Sequence, residues 1–242
     1  MELKANKAKD GKWTQGLPLW KRGLDLGLIA LLAPGMLLCG LVVVALIKLG
    51  SPGPIFFMQK RVGCKGREFR LFKFRTMKVN AETDSHRNHA RQLIHSKKPM
   101  TKLDAVNDPR LIPLGGFLRS TGLDELPQVL NVLRGEMSLV GPRPCIPYEY
   151  ELYEPWQRER LRAVPGLTGL WQVSGKNRTT FEEMVRLDIE YADRKTFWLD
   201  LKIIAKTFPA LWTQWQDQRA PVRTEPSCDP ASIAKTVQSS HL

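Results

Sequence analysis

Between Leu26 and Ile47 lie 22 consecutive residues without a formal charge, and this run decides what the rest of the chain can be. As a straight helix at about 1.5 Å per residue it covers roughly 33 Å, against a bilayer core of about 30 Å. Two arrangements satisfy that length: a transmembrane anchor, or a helix that enters the bilayer, bends and leaves by the same face. A cleaved signal peptide fits worse, because the preceding polar stretch is long and Lys48–Pro54 offers no small-x-small site. Pro34-Gly35 interrupts the run, and an interior proline removes a helix hydrogen bond at a cost of about 3 kcal/mol. Both flanks are basic: Lys4, Lys7, Lys9, Lys12, Lys21 and Arg22 precede the run. Nine basic residues and a single acid, Glu68, follow between Lys48 and Lys78. A span strands one basic cluster on the outer side, whereas a re-entrant hairpin bent at Pro34 keeps both on the anionic cytoplasmic leaflet. The hairpin is the expectation, with the backbone freed at the bend satisfied by protein or water.

The charge is unevenly spread. Residues 1–110 carry 21 basic and 8 acidic side chains, while residues 111–242 carry 16 of each. A uniformly basic nucleic-acid binder is therefore a poor description; one half faces something anionic. The four cysteines lie far apart without a C-x-x-C pair, which reads as reduced thiols in a cytoplasmic compartment. His86, His89 and His95 sit in a charged stretch and read as a solvated face rather than a metal cluster.

A second apolar signal lies near the C-terminus. Trp198, Leu201, Ala205, Phe208, Trp212 and Trp215 recur at spacings of three and four, one stripe of a helix that Pro209 is expected to kink or divide. Such a stripe suits a protein core or the headgroup boundary, and the aromatic content favours the boundary. Between the two signals, Ile55–Met58 and Phe69–Phe74 read as strands joined by a turn at Gly63–Gly66. Residues 79–106 read as a loop with a short helix, and the tail after 216 as disordered. The expected fold class is α+β, mainly helical, on a membrane. A basic segment (1–19) and a membrane hairpin (20–50) precede a cytoplasmic catalytic domain (51–216) and a tail (217–242).

The chemistry concentrates in Arg119–Gln128. Thr121 with Asp124 three residues on matches a helix-start capping pattern, with Leu123, Leu126, Leu130 and Leu133 as the apolar face and Gly135 as the stop. Asp124 and Glu125 then occupy the first turn, where the helix dipole favours anions. They either complement that dipole, share a divalent cation, or divide into a nucleophile and a proton carrier. Arg143, between Pro142 and Pro144, is either a pre-positioned phosphate ligand or part of a rigid turn. Lys73-Phe-Arg75-Thr-Met77 adds cations. Residues alone lead to phosphoryl chemistry at a membrane.

In its ordered motifs the chain resembles the bacterial monotopic phosphoglycosyl transferases, or polyprenyl-phosphate hexose-1-phosphate transferases. The match runs through Lys21-Arg22 with Asp25, the apolar run with Pro34, Gly50–Phe56 and Lys73–Met77. It continues through Arg119 with Leu123–Gln128, Gly135–Pro144, Val164–Gly175 and Leu187–Tyr191. The resemblance implies that Asp124 attacks the β-phosphate of a UDP-sugar, releasing UMP, and that polyprenyl phosphate (undecaprenyl phosphate in most bacteria) then takes the sugar phosphate. It implies a helper role for Glu125, Mg²⁺ at Asp124, and Arg75, Arg119, Arg143 and Asp188 around the substrate. It also implies the cytoplasmic face of the bacterial inner membrane, polysaccharide initiation, and later glycosyltransferases as partners. Ala33 departs from the pattern, since many relatives have Ser before the membrane proline. The additional transmembrane segments that enlarged members carry ahead of this domain are not seen in the sequence. A UDP-releasing membrane glycosyltransferase and a non-catalytic membrane scaffold are the alternatives.

Overall fold

The computed structural model describes residues 17–78, 91–94, 99 and 109–219. Of the loop expected at 79–106, the described part includes one helical turn at 91–94; the three loop histidines, the basic segment before residue 17 and the tail after 219 lie outside the described residues.

Helix α1 runs unbroken from Leu19 to Gly50 with Pro34 inside it, so it begins earlier and ends later than the uncharged run. It is long and apolar enough to cross a membrane by length and composition. Its contacts fall into two groups. Near its start, Lys21 pairs with Asp200, Arg22 caps the carbonyls of Val132 and Leu133, and Asp25 accepts from Ser138 Oγ and the Leu139 amide, each at 3.0 Å. Near its end, Val43 and Ile47 are buried with Phe74, Ile112 and Leu118. Residues 30–35 between them are all exposed, so the helix leaves the body in its middle and touches it at both ends. The carbonyl that Pro34 deprives of a donor, on Ala30, lies in that exposed stretch.

The first hairpin forms as the alternation predicts. Strand β1 (Phe56–Val62) pairs antiparallel with β2 (Glu68–Phe74), from Phe56 opposite Phe74 to Val62 opposite Glu68. Lys65 and Gly66 take positive φ in the connecting turn. Helices α2 (Gly115–Thr121) and α3 (Val129–Leu133) follow, with a 3-10 turn at Leu123–Gln128 between them. The capping expectation fails here. Thr121 starts no helix; its hydroxyl bonds back to the Phe117 carbonyl at 2.8 Å, ending α2, and Gly122 at φ 74° reverses the chain. Half of the expected apolar face holds: Leu123 and Leu126 pack against the cluster around Phe74 and Leu118, but Leu130 and Leu133 are exposed, while Pro127, Gln128, Asn131 and Val132 are buried. Asn131 explains the orientation, because its side chain accepts from the Phe72 amide (3.1 Å) and donates to the Arg70 carbonyl (2.7 Å), bolting α3 to β2.

Strand β3 (Ser138–Val140) pairs in parallel with β4 (Gly166–Thr168). The connection between them carries α4 (Pro147–Leu152) and α5 (Pro155–Arg158). A Cβ on Gly141 or Gly166 would collide with the backbone of the other strand, so this crossing requires glycine. Short α6 (Leu170–Val173) leads to α7 (Phe181–Arg194), which opens on a capping box in which Thr180 and Glu183 exchange bonds.

Helix α8 (Phe197–Arg219) continues through Pro209, so of the two expected effects of that proline, division does not occur. The carbonyl left without a donor, on Ala205, lies on the exposed side. Its body-facing residues are Asp200 and Ile203, both fully buried. Trp198 is 76% exposed, Phe208 73% and Trp212 61%, which excludes the core reading of the stripe. Helices with small two-stranded sheets make an α+β, mainly helical protein carrying one long apolar helix.

Candidate active site

Strand β2 packs against the 3-10 turn and carries Lys73 to it. The Lys73 ammonium lies 2.8 Å from Glu125 Oε1 and 4.0 Å from Asp124 Oδ2, so one cation serves both carboxylates. Asp124 is 7% exposed, while the Glu125 side chain keeps 37% of its surface. Burial alone pushes Glu125 upward, but the Lys73 charge and hydrogen bond, with Arg143 and Lys176 behind them, bring it down to about 2. Its folded value thus lies below the ordinary 4.5. The stability it contributes is present above pH 4.5 and lost as pH falls toward 2. Partial exposure keeps that contribution small. Acid titration of Lys73→Met should show a smaller loss of stability between pH 4.5 and 2 than the parent, measured by thermal midpoint; an identical loss would contradict the pairing.

The other expected site residues separate. Arg143 projects from an exposed position between two buried prolines, within electrostatic reach of Glu125. Its turn is anchored from beneath: the Arg143 carbonyl accepts from Arg160 at 3.1 Å, and Arg160 pairs with Asp188. Asp188 is fully buried on α7, so its place is under the Arg143 turn. Burial pushes its carboxyl up to about 6 against the pull of Arg160. Proton uptake by Asp188 below pH 6 therefore weakens the hold on Arg143. An apparent donor affinity that falls between pH 7 and 5.5 in the parent but is flat in Asp188→Asn is expected from a pH series of KM.

Arg119 is half-buried on α2, five residues before Asp124 and across the reversal at Gly122. Arg75 is not brought to the carboxylates. It is 5% exposed and its guanidinium donates to the carbonyls of Ser51 (2.9 Å) and Pro52 (2.7 Å), tying the end of α1 to β2. Arg75→Gln should lower the thermal midpoint, at about 1–3 kcal/mol for the carbonyls left unpaired. A raised donor KM at unchanged melting temperature would return Arg75 to the substrate.

Lys73 and Arg75 share strand parity, and only the end of β2 at Phe74 separates their roles, so the sequence could not choose between them. Arg160 carries no signal at all in the mixed run Gln157–Arg162. Lys176 was missed as well, although Ser174-Gly175 marks a turn there.

The donor set bears on magnesium. Among the described residues no group of three or more His, Cys, Asp or Glu could hold a metal ion. Mg²⁺, however, is usually held by one or two carboxylates together with substrate phosphates, which Asp124 and Glu125 fit. Two surface concavities, of about 380 and 420 Å³, are lined by neither carboxylate.

A buried aspartate beside a lysine-held glutamate, with arginine and lysine in reach and an apolar helix docked on the same body, is equipment for group transfer on an anionic substrate at a membrane. The chain belongs to the bacterial sugar transferase family, whose model matches residues 17–214. It is 45% identical over 176 residues to the galactosyl transferase CpsE of Streptococcus agalactiae, covering 72% of this chain and 38% of that protein. It is 39% identical over 193 residues to the exopolysaccharide production protein ExoY of Sinorhizobium fredii, covering 79% of this chain and 84% of that one. The undecaprenyl-phosphate galactose phosphotransferase of Salmonella typhimurium is 42% identical over 155 residues, or 64% of this chain and 33% of its own length. The chain thus spans about a third of the longer relatives and most of ExoY.

Proposed function

We propose that this chain transfers a sugar-1-phosphate from a UDP-sugar to polyprenyl phosphate by way of an aspartyl-phosphosugar. The observation that carries the reading is Asp124 itself: a carboxylate nine-tenths buried, 4.0 Å from the Lys73 ammonium and beside an ionised Glu125. An Asp124 oxygen attacks the β-phosphorus; the bridging P–O bond breaks and its electron pair leaves on UMP. A phosphate oxygen of the polyprenyl acceptor then attacks the same phosphorus, and the Asp124–phosphorus bond breaks to give the polyprenyl diphosphate sugar. Splitting one displacement between two bulky phosphates into two steps at one carboxylate is the advantage of the covalent route. Lys73 and Arg143 offset the repulsion between carboxylate and diphosphate. Glu125, held ionised, orients Lys73 toward Asp124. Mg²⁺, when held by Asp124 and Glu125 with the diphosphate, supplies charge neutralisation on the phosphoryl oxygens.

The membrane reading rests on α1 and the exposed apolar groups. Both ends of α1 dock on one body while residues 30–35 stand clear, and both flanks are basic. These contacts support a hairpin that dips into the cytoplasmic leaflet of the inner membrane and returns. Trp198, Phe208 and Trp212 on α8 suit the headgroup level, where a soluble nucleotide and a lipid-held phosphate meet. Later glycosyltransferases would take the lipid-linked product.

Incubating the protein with a UDP-sugar and Mg²⁺, without acceptor, should add the mass of one hexose phosphate to the peptide containing Asp124. An added mass on any other residue, or release of UMP with no adduct on rapid quench, would overturn the covalent route. For topology, single cysteines near residues 15 and 60 should both resist a membrane-impermeant thiol probe in intact cells. Labelling of one from outside would establish a span.

A further inference from the structure

Because β3 and β4 are parallel, the chain leaves both at the same end of their sheet. One exit is Gly141–Pro144 with Arg143; the other is Gly169 through α6 to the short turn Lys176–Arg178. The exits are pressed together, since a Cβ on Gly169 would collide with the Gly141 carbonyl oxygen. The second segment therefore starts beside the Arg143 turn, and it ends in an uncommon conformation. Gly175 has φ 119° and Lys176 φ 38°, a region L side chains rarely adopt. A relay holds this turn from below. The indole N–H of buried Trp171 donates to Thr179 Oγ1 at 2.7 Å, and that hydroxyl donates to the Lys176 carbonyl at 2.8 Å. Backbone held in a sparsely populated region by its surroundings concentrates at working sites. The electrostatics agree, since Lys176 and Arg143 both act on the Glu125 carboxylate.

We propose that Lys176 is a donor-binding residue that grips the diphosphate of the nucleotide sugar together with Arg143, with Trp171 and Thr179 as the residues that position it. This rests on the function proposed above and assigns the nucleotide side of that site. A lysine on a turn built this way reaches the phosphates as a point charge, and its backbone geometry is fixed before the ligand arrives.

Lys176→Gly removes the charge and also relieves the positive φ, so the two consequences should part company. In full-length protein in nanodiscs its melting temperature is expected to hold or rise. Its donor KM is expected to rise roughly 10- to 100-fold, the scale of one lost charged hydrogen bond, with the polyprenyl phosphate KM unchanged. Lys176→Arg should recover part of the loss. Thr179→Val should raise donor KM by less and leave kcat nearly intact. An unchanged donor KM in Lys176→Gly, or equal rises for both substrates, would overturn the proposal. If the parent releases UMP from no donor, the wider function falls, and calorimetry with UDP then decides this assignment alone. UDP binding weakened in Lys176→Gly supports it; equal binding, or none by the parent, refutes it.

Discussion

Asp124→Asn is expected to lower turnover by about 10⁴-fold or more, the scale on which loss of a covalent nucleophile reads out, while the protein still folds and binds membranes. The substitution is isosteric at a side chain 10% exposed, and Lys73 keeps its closer partner, Glu125, at 2.8 Å. The melting temperature should therefore move little. Asp124→Glu keeps the charge but shifts the attacking oxygen by about one bond, and misplacement of that order costs about 10²-fold. Glu125→Gln should be milder than Asp124→Asn, because it removes the anion that holds Lys73 without removing the attacking group. Full activity in Asp124→Asn would remove the nucleophile from the mechanism.

The largest stability effect is expected where α1 meets α8. Lys21 on α1 and Asp200 on α8 form an ion pair whose side chains are 3% and 0% exposed, and Tyr191 accepts from Lys21 at 2.9 Å. Tyr191 O–H lies 2.8 Å from Asp200 Oδ1 and 3.1 Å from the Val140 carbonyl, so one proton serves two acceptors. Lys21→Met leaves the Asp200 carboxylate buried and uncompensated, which costs about 3–5 kcal/mol. For a chain of this size that is a fall of roughly 6–20 °C in the melting temperature. Lys21→Met combined with Asp200→Leu should recover most of the loss, because replacing both members of a buried pair by apolar groups is often neutral. A single variant that melts with the parent, or a double variant as weak as the single, would show that the pair does not hold α1 to α8.

Much of this was legible from local pattern. The β1–β2 hairpin follows from alternation around a Gly-rich turn, and the long helix from an uncharged run. The carboxylate pair stood out by its density with Arg119. Where the reading failed, tertiary contacts had overruled a local rule. Thr121 has the right spacing for a cap, but Gly122 reverses the chain and turns the hydroxyl back onto Phe117. Leu130 and Leu133 have the right spacing for a buried face, but Asn131 is fixed to β2 by two hydrogen bonds and to Glu136 by a third at 2.6 Å, which turns the leucines outward. Helices α1 and α8 continue through Pro34 and Pro209, and each proline leaves one carbonyl, on Ala30 and Ala205, without its helical donor. Arg75 and Asp188 carry charge at family positions, yet each lies beneath the surface and secures a turn. No pattern in a single sequence separates a charge that meets substrate from one that holds the backbone that does.

The central claim is sugar-phosphate transfer, and the nucleotide released tests it most directly. The protein purified in nanodiscs is incubated with undecaprenyl phosphate, Mg²⁺ and a panel of UDP-sugars, and the product nucleotide is identified. The account predicts UMP, dependent on Asp124, with one sugar of the panel preferred. UDP would contradict it, because the bond broken would then lie between the sugar and its phosphate and Asp124 would have no phosphorus to attack.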